Sequence, residues 1–440
     1  MRQQRRRPQL LACLLLALAV LVGPSAVPSA AFVPADGVRS VAVPAAAGEA
    51  AAPLPDPAVL AELLKKVSRS GIGKVGLVVT TTDGTVLTDR SADTPLTPAS
   101  TMKVLSTMTA LATLSADRTF ATRVLDAGSG RIVLVGGGDP LLTDKTSTST
   151  YKLASLQKLA KATAAALKAS GTRKVALRYD ASLFSGPLWN SSWKSSWKGW
   201  EAKVAALEIN SGKVSGGRAS ANPAKTAARA FAKRLAAAGI RVTSVASGRA
   251  TAAGTELARV TSTTLERIIH RTLRQSDNVA AETLSRHAAI ANGRAGSFTG
   301  AAANVKAWLS ARGLWTSGLK LVDGSGLAPA NKLTATVLAA AVRIAVTQDA
   351  FAPIVDGFPV AGESGTLKSR FDDPSEKAGR HVVHAKTGTL SGLASLAGYV
   401  TTADGATLVF AEIGNKASSY YRVYNWLDRE AAVLARCGCR

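Results

Sequence analysis

A serine and a lysine three positions apart, at the start of a helix, place the strongest constraint on this chain. They lie in Pro98-Ala99-Ser100-Thr101-Met102-Lys103. Pro98 cannot extend a helix backwards, and Ser100 is suited to cap the free amides of the first turn. Val104, Leu105, Met108 and Leu111 then recur with helical spacing and predict one apolar face. Ser100 and Lys103 share a face near the helix start, at the positive end of the helix dipole. If the amine is neutral it takes the serine proton, which makes an S-x-x-K nucleophile and base pair. Taken alone, the same residues equally describe a capping serine beside a surface lysine.

Two further polar motifs follow in order. Leu265, Ile268, Ile269 and Leu273 mark a helix that runs to Ser276-Asp277-Asn278, after which a helix resumes from Val279 to Ile290. Ser276 and Asn278 are therefore expected in a loop between helices, with both side chains free to point one way. Farther on, His381 to Thr389 reads as a strand ending in Lys386-Thr387-Gly388-Thr389. Strands over 392–401 and 406–413, joined by Asp404-Gly405, complete an antiparallel meander. A helix over 427–434 closes the chain.

The remaining pattern suggests a division. Residues 56–68 read as a helix, and 75–81 with 85–87 as a hairpin around Asp83-Gly84. From residue 119 to 261 the character changes to short strands (119–125, 131–135, 175–179, 241–245) and a helix over 226–238. This region is expected to be an insert of two small αβ lobes. It divides the larger domain, 56–118 with 262–436, into two stretches of chain. Gly136-Gly137-Gly138-Asp139-Pro140 follows a strand, but no Gly-Lys-Ser/Thr comes after it, so it reads as a tight turn and not a P-loop. Trp189, Trp193, Trp197 and Trp200 crowd one Ser/Lys-rich stretch and are expected to anchor a long loop.

Composition matters at two points. The formal charge is +25, and Arg2, Arg5, Arg6 and Arg7 begin a segment with an apolar run from Leu10 to Val22 and small residues at Ser29-Ala30-Ala31. Residues 1–31 therefore read as a secretory signal, and 32–55, rich in Ala and Pro, as a disordered leader. The apolar run is too short for a membrane span, and no other stretch of the mature chain reads as one. The basic surplus favours an anionic partner such as nucleic acid, acidic membrane lipid or a cell-wall polymer, without choosing among them. It is spread along the chain without a zinc-finger spacing or an aromatic-basic RNA motif, so nucleic acid is not expected. Cys437 and Cys439 sit in a Cys-Gly-Cys tail that suits a tight disulfide or half a metal site, with no partner cluster to complete the latter.

S-x-x-K, S-D-N and K-T-G in this order, opening a helix, between helices and on a strand, resemble the serine penicillin-recognising enzymes. The separation of 176 positions between Ser100 and Ser276 exceeds that of compact β-lactamases. It resembles the D-alanyl-D-alanine carboxypeptidase/endopeptidase family, the low-molecular-weight class C penicillin-binding proteins. Gly136–Pro140, Ala280-Ala281-Glu282 and Asp323-Gly324-Ser325-Gly326-Leu327 also resemble that family's segments.

The resemblance implies an α/β (α+β) fold. Its main domain would be serine β-lactamase/transpeptidase-like, an antiparallel sheet flanked by helices. It implies a secreted, cell-wall-associated enzyme that acts on peptidoglycan stem peptides, is a target of β-lactam antibiotics and needs no metal or organic cofactor. Ser100 would attack the carbonyl between two D-alanines, and Lys103, kept neutral by burial and by Lys386, would be its base. Ser276 would pass a proton to the leaving amine, and Asn278 would hydrogen-bond the substrate amide. Lys386, Thr387, Gly388 and Thr389 would hold the substrate and its carboxylate. The amides of Ser100 and Thr389 would form the oxyanion hole.

Three rivals can be weighed on residues. A Ser-His-Asp hydrolase would need a serine elbow, and Gly324-Ser325-Gly326 lacks its spacing. His381 and His384 face opposite ways on a strand and make a poor metal pair. A class A β-lactamase needs a deacylating glutamate after the S-D-N loop, yet no glutamate lies between Glu282 and Glu363. A non-catalytic wall-binding protein would have no need of Ser100, Lys103, Ser276 and Lys386 together.

Overall fold

Leu77 and Val79 point to one face of their strand and Val78 to the other, and all three are buried. A strand covered on both faces needs two apolar layers, and the fold provides them. The computed structural model describes residues 52–199, 201–251 and 254–438. The expected signal, positions 32–51 of the leader, Trp200 and Cys439 lie outside the described residues.

The hairpin around Asp83-Gly84 forms from β1 (Ile72–Thr81) and β2 (Val86–Arg90), with the Asp83 carboxylate accepting from the Thr85 amide. β1 then pairs with the far end of the chain. The main sheet runs β2-β1-β10-β9-β8, antiparallel throughout, with β8 (Val383–Leu390), β9 (Leu393–Thr401) and β10 (Thr407–Ala417) as the expected meander. One face packs on α1 (Pro57–Lys65) and α10 (Tyr420–Arg436) through Leu60, Leu64, Trp426 and Leu427. The other is covered by a helical layer in which α2 (Met102–Thr113) meets β8 and α8 (Ala335–Thr347) meets β1, β9 and β10, with α5 (Leu265–Gln275), α6 (Asn278–Ala291), α7 (Phe298–Ser310) and α9 (Ala352–Asp356) packed around them. α2 differs from expectation: every residue from Met102 to Leu111 is buried, not one face only. It lies inside the helical layer, so its threonines return their hydroxyls to the preceding turn, as Thr107 does to the Lys103 carbonyl.

A second sheet lies within residues 119–261. It contains β3 (Ala121–Asp126), β4 (Arg131–Val135), β5 (Lys174–Asp180), β6 (Arg241–Ser247) and β7 (Thr255–Thr261) in the order β6-β5-β4-β3-β7. β4, β5 and β6 are parallel, with α3 (Leu156–Ala169) and α4 (Pro223–Ala237) in the connections. Phe231, Leu235, Leu159 and Leu177 fill its core. The segment leaves and returns at one point: the Ser262 amide donates to the Phe120 carbonyl at 2.9 Å, and the Leu265 amide to the Arg118 carbonyl at 2.8 Å. The described residues form one compact unit. Among the described residues no single helix is long and apolar enough to cross a membrane.

Candidate active site

Ser100 sits in a single tight turn, Ala99–Thr101, that leads into α2. The expected cap is not made. Neither Pro98 nor Thr101 gives a side-chain cap, and the Ser100 hydroxyl meets Lys103 instead, with Nζ to Oγ at 2.8 Å. Lys103 is fully buried one turn along. Its ammonium has three hydrogens and three acceptors: Ser100 Oγ, Asn278 Oδ1 at 2.7 Å and the Ser325 carbonyl at 2.7 Å. Burial pulls its pKa down to about 8, against the opposing pull of Asp323, Glu201, Glu282 and Asp277. A neutral Lys103 would donate to Asn278 and Ser325 and turn its lone pair toward the Ser100 hydroxyl.

The S-D-N motif is positioned by how α5 stops. Ser276 adopts the left-handed conformation, φ 57°, just past the end of α5. Asp277 caps α6 through the Ala280 amide and pairs with Arg271 at 2.8 Å. Asn278 is therefore the first residue of α6 and not a free loop position. Ser276 Oγ accepts from Lys386 Nζ at 3.0 Å. Lys386 is also fully buried; burial first, and then the charge of Lys103, hold its pKa well below the usual lysine range.

β8 brings the K-T-G residues against the Ser100 turn. A Cβ at Gly388 would stand 2.6 Å from the Pro98 carbonyl oxygen and 3.0 Å from the Ser100 nitrogen, so only glycine allows this approach. Thr387 Oγ1 shares a hydrogen bond with Thr366, and Thr389 Oγ1 with the Tyr424 hydroxyl. Ser100, Ser276, Thr387 and Thr389 line one cavity of about 600 Å³, with Tyr420 and Tyr421 farther along it. Behind that wall Lys103 reaches Ser100, Asn278 reaches Lys103, and Lys386 reaches Ser276.

The supporting shell explains two segments that stood out in the sequence. Glu282 accepts from the amides of Gly324 and Ser325, which sets the carbonyl that holds Lys103. Burial, and then Asp323, push its carboxyl up to about 7. Asp323 in turn accepts from the Trp193 indole at 2.7 Å, so one of the clustered tryptophans anchors the site. Asn190 donates to the Val322 carbonyl at 2.7 Å.

Glu201 was not singled out by the sequence. It follows the tryptophan run, and its Oε2 accepts from Asn278 Nδ2 at 2.7 Å. The only sequence signal was a lone acid beside that run, long before the motif it touches. Among the described residues no group of three or more His, Cys, Asp or Glu side chains is placed to hold a metal ion. His381 faces Glu363, whereas His384 stacks on Tyr399.

A half-buried serine thus meets a fully buried lysine under the edge of an antiparallel sheet that lies between two helical layers. The chain belongs to the D-Ala-D-Ala carboxypeptidase 3 (S13) family, whose model matches residues 58–217 and 212–422, and it is an enzyme of that carboxypeptidase class. It is 36% identical to carboxypeptidase DacB of Mycolicibacterium smegmatis over 378 residues, covering 83% of this chain and 80% of the relative. It is 35% identical over 418 residues to a carboxypeptidase of Mycobacterium tuberculosis, covering 91% and 86%. The fold matches the crystal structure of penicillin-binding protein 4 from Haemophilus influenzae with a TM-score of 0.72. That match has 21% identity and covers 84% of this chain and 97% of the other.

Proposed function

We propose that this chain is a secreted serine-type D-Ala-D-Ala carboxypeptidase/endopeptidase that works through an acyl-enzyme on Ser100. The observation that carries the reading is the 2.8 Å contact between Ser100 Oγ and a fully buried Lys103 with every other donor position occupied. Ser100 Oγ attacks the carbonyl carbon of the penultimate D-alanine as its proton passes to neutral Lys103. The amides of Ser100 and Thr389 stabilise the oxyanion. The proton taken by Lys103 is relayed through Ser276, tuned by Lys386, to the nitrogen of the terminal D-alanine; the C–N bond breaks, the amino acid leaves, and Lys103 is neutral again. Water then attacks the ester, Lys103 takes its proton and returns it to Ser100 Oγ as that oxygen leaves, and both residues regain their starting state. Thr387, Gly388 and Thr389, with Lys386, hold the terminal carboxylate; Asn278 orients Lys103. A β-lactam acylates Ser100 by the same first step, but its leaving nitrogen stays tethered in the adduct.

Three further readings accompany this one. Residues 1–31 act as the export signal and 32–55 as a leader, which places the enzyme at the cell wall with its peptidoglycan stem peptides. Its basic surface docks on anionic wall polymers. Residues 119–261 form an insert in a domain made of 56–118 and 262–436, a reading supported by the adjoining ends at Phe120 and Ser262.

The test is release of D-alanine from a stem-peptide analogue ending in D-Ala-D-Ala, compared with cleavage of a cross-linked stem dimer. Release by the native chain and none by Ser100→Ala is expected. Equal release by both would remove Ser100 from the reaction.

A further inference from the structure

The side-chain amide of Asn278 has two ends that differ chemically. Its oxygen only accepts and its nitrogen only donates, and a half-turn about the last side-chain bond exchanges them. In this site the choice has a catalytic consequence. With the oxygen toward Lys103, a neutral lysine donates one hydrogen to it and one to the Ser325 carbonyl, and its lone pair is left for the Ser100 proton. With the nitrogen toward Lys103, the amide would donate into that same lone pair and take it away from Ser100.

We infer that Glu201 is a positioning residue that locks Asn278 in the productive orientation and so aims the Lys103 lone pair at Ser100. This rests on the acyl-enzyme reading above. A carboxylate facing Asn278 accepts and cannot donate, so the amide nitrogen must turn to it, at 2.7 Å. Glu201 is itself held, with its other oxygen accepting from the Ala202 amide at 3.1 Å and its backbone amide donating to the Trp197 carbonyl at 2.8 Å. Only 6% of it is exposed. Burial raises its pKa, so a carboxyl here is a cost that its bonds to Asn278 and Ala202 and the charge of Lys103 offset. Glu201 does not line the cavity, and both its oxygens are engaged, so it acts through Asn278. The segment 119–261 thus supplies a residue to the centre of the site.

The charged groups facing Lys103 are Glu201, Asp277 before α6, Glu282 on α6, Asp323 in the loop after α7, and Lys386 on β8. Glu201 is one of the carboxylates that raise the pKa of Lys103, so neutralising it lowers that pKa. The base works once it has lost its proton, so the acid limb of the rate must move to lower pH.

The experiment measures the rate constant for acylation by a penicillin across pH 5 to 10 in the native chain, Glu201→Gln, Glu201→Ala and Ser100→Ala. Gln keeps an oxygen for Asn278 Nδ2 and loses the charge. It should keep a plateau within about threefold of native, with the acid limb displaced to lower pH. Ala frees the amide to turn and should lower the plateau by about 10- to 100-fold, the scale of a misplaced catalytic group. Native plateau and limb in Glu201→Ala, or a Gln variant as slow as Ala with no displaced limb, would overturn the inference. A native chain that is not acylated, or a Ser100→Ala variant that is, would overturn the acyl-enzyme reading instead.

Discussion

The two five-stranded sheets differ in how they use their polar residues. The main sheet is antiparallel throughout and carries buried Lys386, Ser395 and Glu412 among its apolar side chains. Of the second sheet's strand residues, the only buried polar ones are Thr122 and Asp180, and its core is Val, Leu, Ile, Ala and Phe. The first sheet places ionisable groups where burial changes their chemistry; the second closes a core and contributes through the loops that leave it. Those loops, near residues 136–142 and 184–212, supply Gly138 and Glu201 to α6 and Trp193 to the loop that carries Asp323. Chemistry and stability are therefore separable within the second region, between its sheet and its loops.

The sharpest test of this contrast is Lys103→Ala, on the main side. Loss of the base should slow penicillin acylation by about 10²- to 10⁴-fold. In the native chain the rate should rise with pH and level off above about 8, because Lys103 acts only after losing its proton. A pH-independent native rate would place the base elsewhere. On the other side, Phe231→Ala empties the centre of the second core and should cost about 3–5 kcal/mol in denaturant unfolding. Acylation per folded molecule should stay within about threefold. A hundredfold loss would show that the second sheet, and not only its loops, governs the site.

The junction should respond to pH. His287 on α6 donates from Nε2 to the Gly138 carbonyl at 2.9 Å and stacks on Phe120 at 4.0 Å. Burial lowers its pKa from 6.5 to about 4. The unfolded chain therefore binds this proton first, so its contribution is complete above about 6.5 and is lost as pH falls toward 4. The loss should be about 3 kcal/mol, and His287→Gln should lack it in unfolding curves measured across that range. A native curve parallel to that of the variant would contradict a buried neutral imidazole. The smallest effect belongs to Trp193→Phe, which deletes one hydrogen bond to Asp323 and should cost about 1–2 kcal/mol in the same assay. No change would mean that the indole packs without anchoring the loop.

What was legible in the sequence follows the same division. The hairpin and the meander were readable because Asp83-Gly84 and Asp404-Gly405 separate strands of β-rich residues. α3 went unread because its buried stripe includes Ala160, Thr163 and Ala164, which weakens the apolar period. β7 went unread because none of its positions is buried and its exposed and half-buried residues do not strictly alternate. The expected cap by Ser100 is not met, since a serine at a helix start has two possible partners and here its hydroxyl meets the buried Lys103. The contacts of Asn278 with Lys103 and Glu201 were not legible, because both partners are remote in sequence. No glutamate lies between Glu282 and Glu363, whereas Glu201 reaches Asn278 from 77 positions before it.

The central claim is that Ser100 is the nucleophile, and the mass of the protein after reaction with a penicillin tests it most directly. The account predicts a single adduct of one intact penicillin per chain, mapped to the peptide bearing Ser100 and absent in Ser100→Ala. An adduct on any other residue, or one that survives in Ser100→Ala, would contradict it.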